Sequence, residues 1–314
     1  MEEALYSDLG FFNTDQVRSD KEGDFLTSPE VSKYFGKIIR NWIHSESNLK
    51  NIIEIGSGTG SLIEQIGIKE ITAVELSSTA REELIKKGID TYTTIDELTT
   101  KTSDLIFGNE ILDNIPCSIG LYKDEGWYEK VVLLEENSLA YGLRPIRNEE
   151  LDWINKNNIV PNEDYEFEIQ VNIDKFLNSV IKKINPGKIL LFDYGYEQKN
   201  RDKRMYSSLL RTYKNHHLSV DPIDDPGNID ITYDVNFSSI SSELKYLGYD
   251  VTLKLQRDFL LDNGFNIFFD ELQEKYIAAE GIEKLKINSE LNGMKAIVDS
   301  NGLGGFYCLI AEKL

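Results

Sequence analysis

Residues 51–60 read Asn-Ile-Ile-Glu-Ile-Gly-Ser-Gly-Thr-Gly, an apolar run that passes straight into alternating glycines. Ile52 to Ile55 form a short apolar run, as a strand buried on both faces requires. The alternating glycines that follow allow a tight turn and a close approach of backbone to a ligand. Ser61-Leu62-Ile63-Glu64-Gln65-Ile66 comes next with helical spacing, so the loop opens a helix N-terminus, where nucleotide-like ligands are held. Nineteen residues after Gly56, a second apolar run, Ile71-Thr72-Ala73-Val74, ends on Glu75. A carboxylate there can accept both hydroxyls of a ribose.

Glycine spacing selects among nucleotides. A dinucleotide fingerprint needs G-x-G-x-x-G, whereas Gly56, Gly58 and Gly60 make G-x-G-x-G and Ser61 occupies the position where the third glycine belongs. The Lys-Ser or Lys-Thr of a P-loop is absent. G-x-G-x-G preceded by Glu54 resembles motif I of the class I S-adenosylmethionine methyltransferases. That resemblance implies a cofactor set of Glu54, Gly56, Ser57, Gly58 and Gly60 from the first strand and loop, with Glu75 and Leu76 at the second strand tip. Ile95 and Asp96, after the third strand, are expected near the adenine.

Composition bounds the partners. The chain has 314 residues, 40% hydrophobic, and a net charge of −20. It is long enough for one large core or two modest ones. Its charge opposes a nucleic-acid backbone and attracts a basic protein. Cys117 and Cys308 lie on unrelated segments, so a disulfide is not expected. The start, Met-Glu-Glu-Ala-Leu-Tyr, lacks a basic region and a signal-length apolar run. No stretch approaches the roughly 20 apolar residues of a membrane span. The expectation is a cytoplasmic protein with no membrane or nucleic-acid partner. Association into a homodimer is compatible with the sequence.

Along the chain, residues 1–23 are polar and mixed, suited to wrapping a core. Pro29 to Ile43 carries apolar residues at helical spacing, with Thr27 or Ser28 as cap and Pro29 in the first turn. Strands are expected at 52–55, 71–75, 89–93 and 104–108, with helices near 60–67 and 78–87. Gly120 to Leu143 alternates around turn residues and reads as an inserted β-hairpin. Ile173 to Ile184 reads as a helix closed by Pro186-Gly187, followed by a fifth strand at Lys188–Asp193. Residues 194–236 are rich in Asp, Asn, Pro and Gly, too long for a plain connector. A helix at 237–247 and strands at 249–255 and 306–311 complete the pattern. Five strands alternating with helices, then an antiparallel pair, make an α/β fold with a seven-stranded sheet.

Longer motifs name a family. Gly23-Asp24-Phe25-Leu26-Thr27-Ser28-Pro29-Glu30-Val31-Ser32 with Phe35-Gly36, then Gly108-Asn109-Glu110-Ile111-Leu112-Asp113-Asn114-Ile115-Pro116, then Asp193-Tyr194-Gly195-Tyr196, resemble signatures of the MidA-like methyltransferases. Arg211-Thr212-Tyr213, His216, Asp221-Pro222, Pro226-Gly227, Asp230-Ile231-Thr232 and Val235-Asn236-Phe237 continue the resemblance. Gln256-Arg257-Asp258-Phe259-Leu260 and Gly293-Met294-Lys295 extend it to nearly the whole chain. The resemblance implies a class I methyltransferase, Rossmann-like seven-stranded sheet in one domain over 1–314. It implies an N-terminal wrap at 1–46, an inserted hairpin within 117–170, and a long-loop subdomain at 195–236. S-adenosylmethionine is then the methyl donor and a protein arginine the acceptor, since mitochondrial members of the family act on protein arginine and help assemble respiratory complex I.

The residues suit that chemistry. Methyl transfer needs donor and nucleophile held at contact distance with water excluded. Asn109 and Glu110 end the fourth strand, which faces the transferred methyl in this fold. A carboxylate at Glu110 can hold a planar guanidinium and take its proton, and Asp113 is a second carboxylate on the same expected helical face. Thr27, Ser28 and Pro29 are assigned to the cofactor as a lid, and the same residues also read as a helix cap. Glu30, Asp193, Tyr194, Tyr196 and His216 are assigned to the substrate. His216 and His217 near Asp221 lack tight ligand spacing, so no metal is expected. The competing reading is an assembly chaperone or binding module whose S-adenosylmethionine site is structural or regulatory.

Overall fold

The computed structural model describes residues 1–13, 27–46, 49–98, 102–136, 138–203, 209–214, 217–218 and 221–313. The N-terminal segment holds α1 (Glu2–Tyr6) and a 3-10 turn at Phe11–Asn13. The helix expected over Pro29–Ile43 is two helices, α2 (Ser28–Val31) and α3 (Tyr34–Ser45). Ser32 breaks it: its backbone is extended, and its hydroxyl accepts the Tyr34 N–H at 3.3 Å. Gly293 packs so closely there that a Cβ would lie 2.5 Å from the Val31 carbonyl oxygen.

The central sheet begins with β1 (Ile52–Ile55), α4 (Ser61–Ile66), β2 (Ile71–Val74), α5 (Ser78–Lys86), β3 (Thr91–Tyr92) and β4 (Ser103–Asn109). Next comes a separate antiparallel sheet: β5 (Ser118–Lys123), β6 (Gly126–Glu135), β7 (Ser138–Pro145), α6 (Asn148–Lys156) and β8 (Tyr165–Ile169). The expected hairpin is thus the outer part of a four-stranded sheet ordered β7-β6-β5-β8. β8 reaches back to β5 over more than 40 residues, a pairing that local alternation cannot reveal.

α7 (Val171–Ile181) leads into β9 (Ile184–Asp193). Pro186-Gly187 therefore lies inside a strand and does not end the helix. The register with β4 shifts between Ser103 and Leu105, and this irregularity accommodates the pair. Gly187 is forced, since a Cβ would sit 2.6 Å from the Asp104 carbonyl oxygen. The following segment carries β10 (Gly195–Tyr196), β11 (Leu210–Lys214), β12 (His217–Leu218), β13 (Asp230–Tyr233) and β14 (Val235–Asn236). Then come α8 (Phe237–Tyr246), β15 (Asp250–Leu255), α9 (Gln256–Asp262), α10 (Phe265–Ala278), α11 (Gly281–Val298) and β16 (Tyr307–Lys313). Sequence pattern assigned no element to α9–α11.

The main sheet has seven strands in the order β15-β16-β9-β4-β1-β2-β3. β1 pairs in parallel with β2 and β4, while β16 runs antiparallel to both β9 and β15. One face packs on α3, α4 and α9–α11 through Phe35, Ile38, Trp42, Phe259 and Met294; the other packs on α7 and α8 through Ile173, Leu177, Ile240 and Leu244. Both faces are covered, as the continuous apolar runs of β1 and β2 require. Crossovers place the C-terminal ends of β1, β2, β4 and β9 on one edge, where open α/β sheets bind ligands. No helix among the described residues is long and apolar enough to cross a membrane.

Candidate active site

A cavity opens at that edge, lined by Glu54 to Thr59, Val74 to Ser77, Asn109 to Ile111, Thr27, Pro29 and Glu30, and closed on one side by Tyr6, Phe12, Asn114, Ile115 and Phe176. It has two walls of different construction.

The first wall is the β1 and β2 tips. Gly56, Gly58 and Gly60 all have positive φ (68°, 50° and 84°), which a side chain would strain. Glu75 fixes the loop: its Oε2 accepts the Gly58 N–H and its Oε1 the Ser77 N–H, each at 2.8 Å. A carboxylate has about four acceptor positions, so both oxygens keep capacity for hydroxyls in the cavity. Arg81 donates to the backbone carbonyl of Glu75 at 2.9 Å and steadies this tip. Glu54 is 3% exposed, and its Oε2 has no hydrogen-bond partner among the described residues. Burial pushes its carboxyl well above the usual range, the nearby Ser57 hydroxyl opposes this, and the Glu75 charge adds to it. Gly60 does not line the cavity. A Cβ there would meet Leu84 at 2.8 Å, so its glycine serves packing against α5.

The second wall is the β4 tip. No helix follows β4; residues 110–116 form turns. The Glu110–Asp113 pair is therefore not on one helical face as expected. Glu110 itself has φ 53°, a left-handed conformation that costs a non-glycine residue about 1–3 kcal/mol. Surrounding contacts hold it there. Its N–H donates to the Phe192 carbonyl at 2.8 Å, and Ile111 fills the space beside Gly56 and Gly108, where Cβ atoms would come within 2.3 and 2.7 Å of it. Glu110 Oε1 accepts from the Ser28 N–H at 3.2 Å and from Asn109 Nδ2 at 3.0 Å. Burial raises its pKa to about 8, with the Asp113 charge second and those two hydrogen bonds opposing.

Behind Glu110 lies a buried network. Asp193 is fully buried; its Oδ2 accepts the Leu112 N–H at 2.8 Å and the Asp113 N–H at 3.3 Å, and its Oδ1 accepts the Tyr194 N–H at 2.9 Å. The Tyr194 hydroxyl donates to Asp113 Oδ2. The Arg211 guanidinium lies 4.9 Å over the Tyr194 ring and pairs with Asp234 at 2.9 Å. Burial drives the carboxyls of both Asp113 and Asp193 above the usual range, and the Asp113 charge raises Asp193 further. The Tyr233 hydroxyl shares its one proton between the Leu112 carbonyl at 2.9 Å and the Ile115 carbonyl at 2.7 Å, closing the turn from beneath.

The assigned residues thus divide. Glu54, Gly56, Ser57, Gly58, Glu75, Leu76, Asn109, Glu110, Thr27, Pro29 and Glu30 meet at the cavity. Ser28 reaches it through its N–H to Glu110, while its hydroxyl bonds Gln256 Oε1 at 3.2 Å. Asp113, Asp193 and Tyr194 do not line the cavity; they support the turn that does. Tyr196 is buried on β10 and does not line the cavity. Ile95 belongs to the core, and neither it nor Asp96 lines the cavity. His216 lies outside the described residues. Sequence reasoning missed Tyr6, Phe12 and Phe176 as lining residues, and Arg211 and Gln256 as supports. The last two stand inside quoted motifs; the aromatic trio has no local signal. Among the described residues, no group of three or more His, Cys, Asp or Glu is placed to hold a metal ion.

Comparison with known proteins places the chain. The family profile described as "Putative S-adenosyl-L-methionine-dependent methyltransferase" matches residues 36–252. The chain is 26% identical over 303 residues to the protein arginine methyltransferase NDUFAF7 homolog, mitochondrial, of Caenorhabditis elegans, covering 81% of this chain and 68% of the relative. It is 25% identical to the protein arginine methyltransferase NDUFAF7, mitochondrial, of Danio rerio, covering 85% and 72%. A crystal structure from Burkholderia thailandensis with S-adenosyl-homocysteine bound superposes with a TM-score of 0.85 at 22% identity, covering 99% of this chain and 86% of that one.

Proposed function

We propose, from the premise that this chain belongs to the S-adenosyl-L-methionine-dependent methyltransferase family, that it methylates an arginine nitrogen of a basic protein segment. The observation that carries the arginine reading is Glu110. Its carboxylate sits at the cavity, with Oε1 held by two donors and Oε2 accepting no hydrogen bond among the described residues. A guanidinium is the planar cation that such a carboxylate holds best. The names of the Caenorhabditis and Danio relatives point the same way.

The residues present fit the donor. The unpartnered Oε2 of Glu54 suits an α-ammonium, the side-chain-free backbone of Gly56 and Gly58 suits the amino-acid moiety, and the remaining acceptor positions of Glu75 suit ribose hydroxyls. Bound S-adenosylmethionine supplies an electrophilic methyl group on a sulfonium. Glu110 would orient the acceptor and, as the nitrogen–carbon bond forms and the carbon–sulfur bond breaks, receive the proton leaving that nitrogen. Tyr6, Phe12, Ile115 and Phe176 would keep water from the reacting atoms.

The test is incubation with methyl-labelled S-adenosylmethionine and host lysate, followed by total hydrolysis of the labelled protein. Label in Nω-methylarginine, absent with Glu110→Gln, is the expected result. Label confined to another residue type, or equal labelling by the variant, contradicts the reading.

A further inference from the structure

The inserted sheet carries a surface that the methyl-transfer site does not use. β5 pairs with β6 over Gly126–Lys130, whereas β7 pairs with β6 over Tyr128–Glu135, so residues 131–135 and 138–142 project as a two-stranded ribbon. The register sets Lys130 opposite Leu143, Val132 opposite Tyr141 and Leu134 opposite Leu139. Strand alternation therefore places Val132, Leu134, Leu139, Tyr141 and Leu143 on one face. All five are exposed: Leu134 by 74%, Val132 by 50%, Leu143 by 49%. A continuous apolar face of this kind marks an interaction site. On the opposite face, α6 packs Trp153 on Phe167 of β8. β7 is also an edge strand: no strand pairs with its outer side among the described residues.

Charge around the ribbon selects the occupant. The turn at its tip carries Glu135 and Glu136, and the Tyr141 hydroxyl donates to Asp221, with the Asp224 charge also acting on that hydroxyl. The cations near its base are engaged: Lys130 with Glu166 at 2.9 Å, and Arg144 with Glu129 at 2.6 Å. Two copies of a chain carrying −20 repel. An extended strand that alternates apolar and basic residues meets both demands: its backbone pairs with β7, its apolar side chains continue the Val132–Tyr141 face, and its cations fall on the opposite face, to which the register turns Glu135. The loop after Asp221 packs on the N-terminal segment that contributes to the cavity. Gly227 packs on Leu9, where a Cβ would lie 2.7 Å from its carbonyl oxygen, and Phe12, three residues on, lines the cavity.

We propose that the outer edge of β7, with the apolar face it shares with β6, docks a basic, extended segment of the protein acceptor; this rests on the protein-acceptor reading above. The probe is a fluorescent twelve-residue peptide of alternating Val and Arg, titrated against the full chain saturated with S-adenosylhomocysteine and read by anisotropy. A Val/Glu peptide is the control. The Val/Arg peptide is expected to bind, the Val/Glu peptide not. Leu139→Ser with Leu143→Ser should weaken binding about tenfold or more. Glu135→Gln with Glu136→Gln should weaken it several-fold and flatten its salt dependence. Equal binding by the Leu variant, or equal binding of both peptides, overturns the proposal. So does a dimer in sedimentation that the Leu substitutions dissolve, because the occupant is then a second copy. S-adenosylhomocysteine affinity, measured on each variant, reports separately on the methyltransferase reading and should not change.

Discussion

The two walls of the cavity solve different problems with different materials. The wall at β1 and β2 is mostly backbone: glycines at positive φ, with a carboxylate, Glu75, satisfied by two main-chain N–H groups. The wall at β4 is mostly side chain. A glutamate is forced into a left-handed turn, with two further carboxylates, Asp113 and Asp193, stacked behind it in a buried network. A ligand whose parts never change charge needs shape and fixed donors. A centre where a proton leaves needs a group whose charge can change, and burial supplies one by raising the pKa of Glu110 to about 8. On the proposed reading, donor holding and acceptor chemistry are built on separate walls and can be broken separately.

The largest break is expected at the acceptor wall. Glu110→Gln keeps the shape and loses the carboxylate, and should lower kcat about 10²–10³-fold in a methyl-transfer assay with labelled S-adenosylmethionine. Next is the donor wall. Gly56→Ala adds a methyl 2.3 Å from Ile111 at a backbone φ of +68°, and should weaken S-adenosylhomocysteine binding about 100-fold by calorimetry. Smaller is the support behind Glu110. Asp193→Asn perturbs an acceptor of three backbone N–H groups, and should cost roughly 1–3 kcal/mol in denaturant unfolding and about tenfold in kcat.

The gentlest probe is pH. Below its folded pKa of about 8, Glu110 is mostly neutral; above it, mostly a carboxylate. The kcat/KM for the acceptor should therefore rise as pH passes through about 8, and the rise should vanish in Glu110→Gln. Stability runs the other way. The folded state holds this proton to higher pH than the unfolded chain, whose glutamate has the ordinary value of 4.5, so Glu110's contribution to stability falls as pH rises between those values. The melting temperature of Glu110→Gln should fall less from pH 6 to pH 9 than that of the wild type. An equal fall in both would show that Glu110 does not titrate in this window.

The same contrast explains what was legible in sequence. The donor wall follows from residues within about twenty positions of one another, and its glycines are imposed by backbone geometry that leaves a spacing. β1, β2 and β4 likewise announce themselves as local apolar runs, and the terminal antiparallel pair was read correctly. The acceptor wall is assembled over distance: Asp193 grips Leu112 from 81 residues away, and Ser28 reaches Glu110 across 82. Glu110's place at the cavity is legible because it follows the apolar run of β4. The supporting roles of Asp113, Asp193 and Tyr194 are not, because residues 110–116 turn where a helical face was expected. Tyr6 and Phe12 reach the cavity from a polar N-terminal segment with no periodicity. β8 was missed for a related reason, its partner β5 lying more than 40 residues back, whereas α9–α11 pack largely on one another and the apolar residues of α10 and α11 keep little helical periodicity.

One measurement tests the separation of the walls most directly: calorimetric titration of S-adenosylhomocysteine into Glu110→Gln protein, with wild type and Gly56→Ala alongside. Glu110→Gln is expected to bind within about threefold of wild type, under about 1 kcal/mol, while Gly56→Ala loses most of its affinity. A loss in Glu110→Gln as large as that in Gly56→Ala would contradict that separation, because Glu110 would then belong to the wall that holds the cofactor.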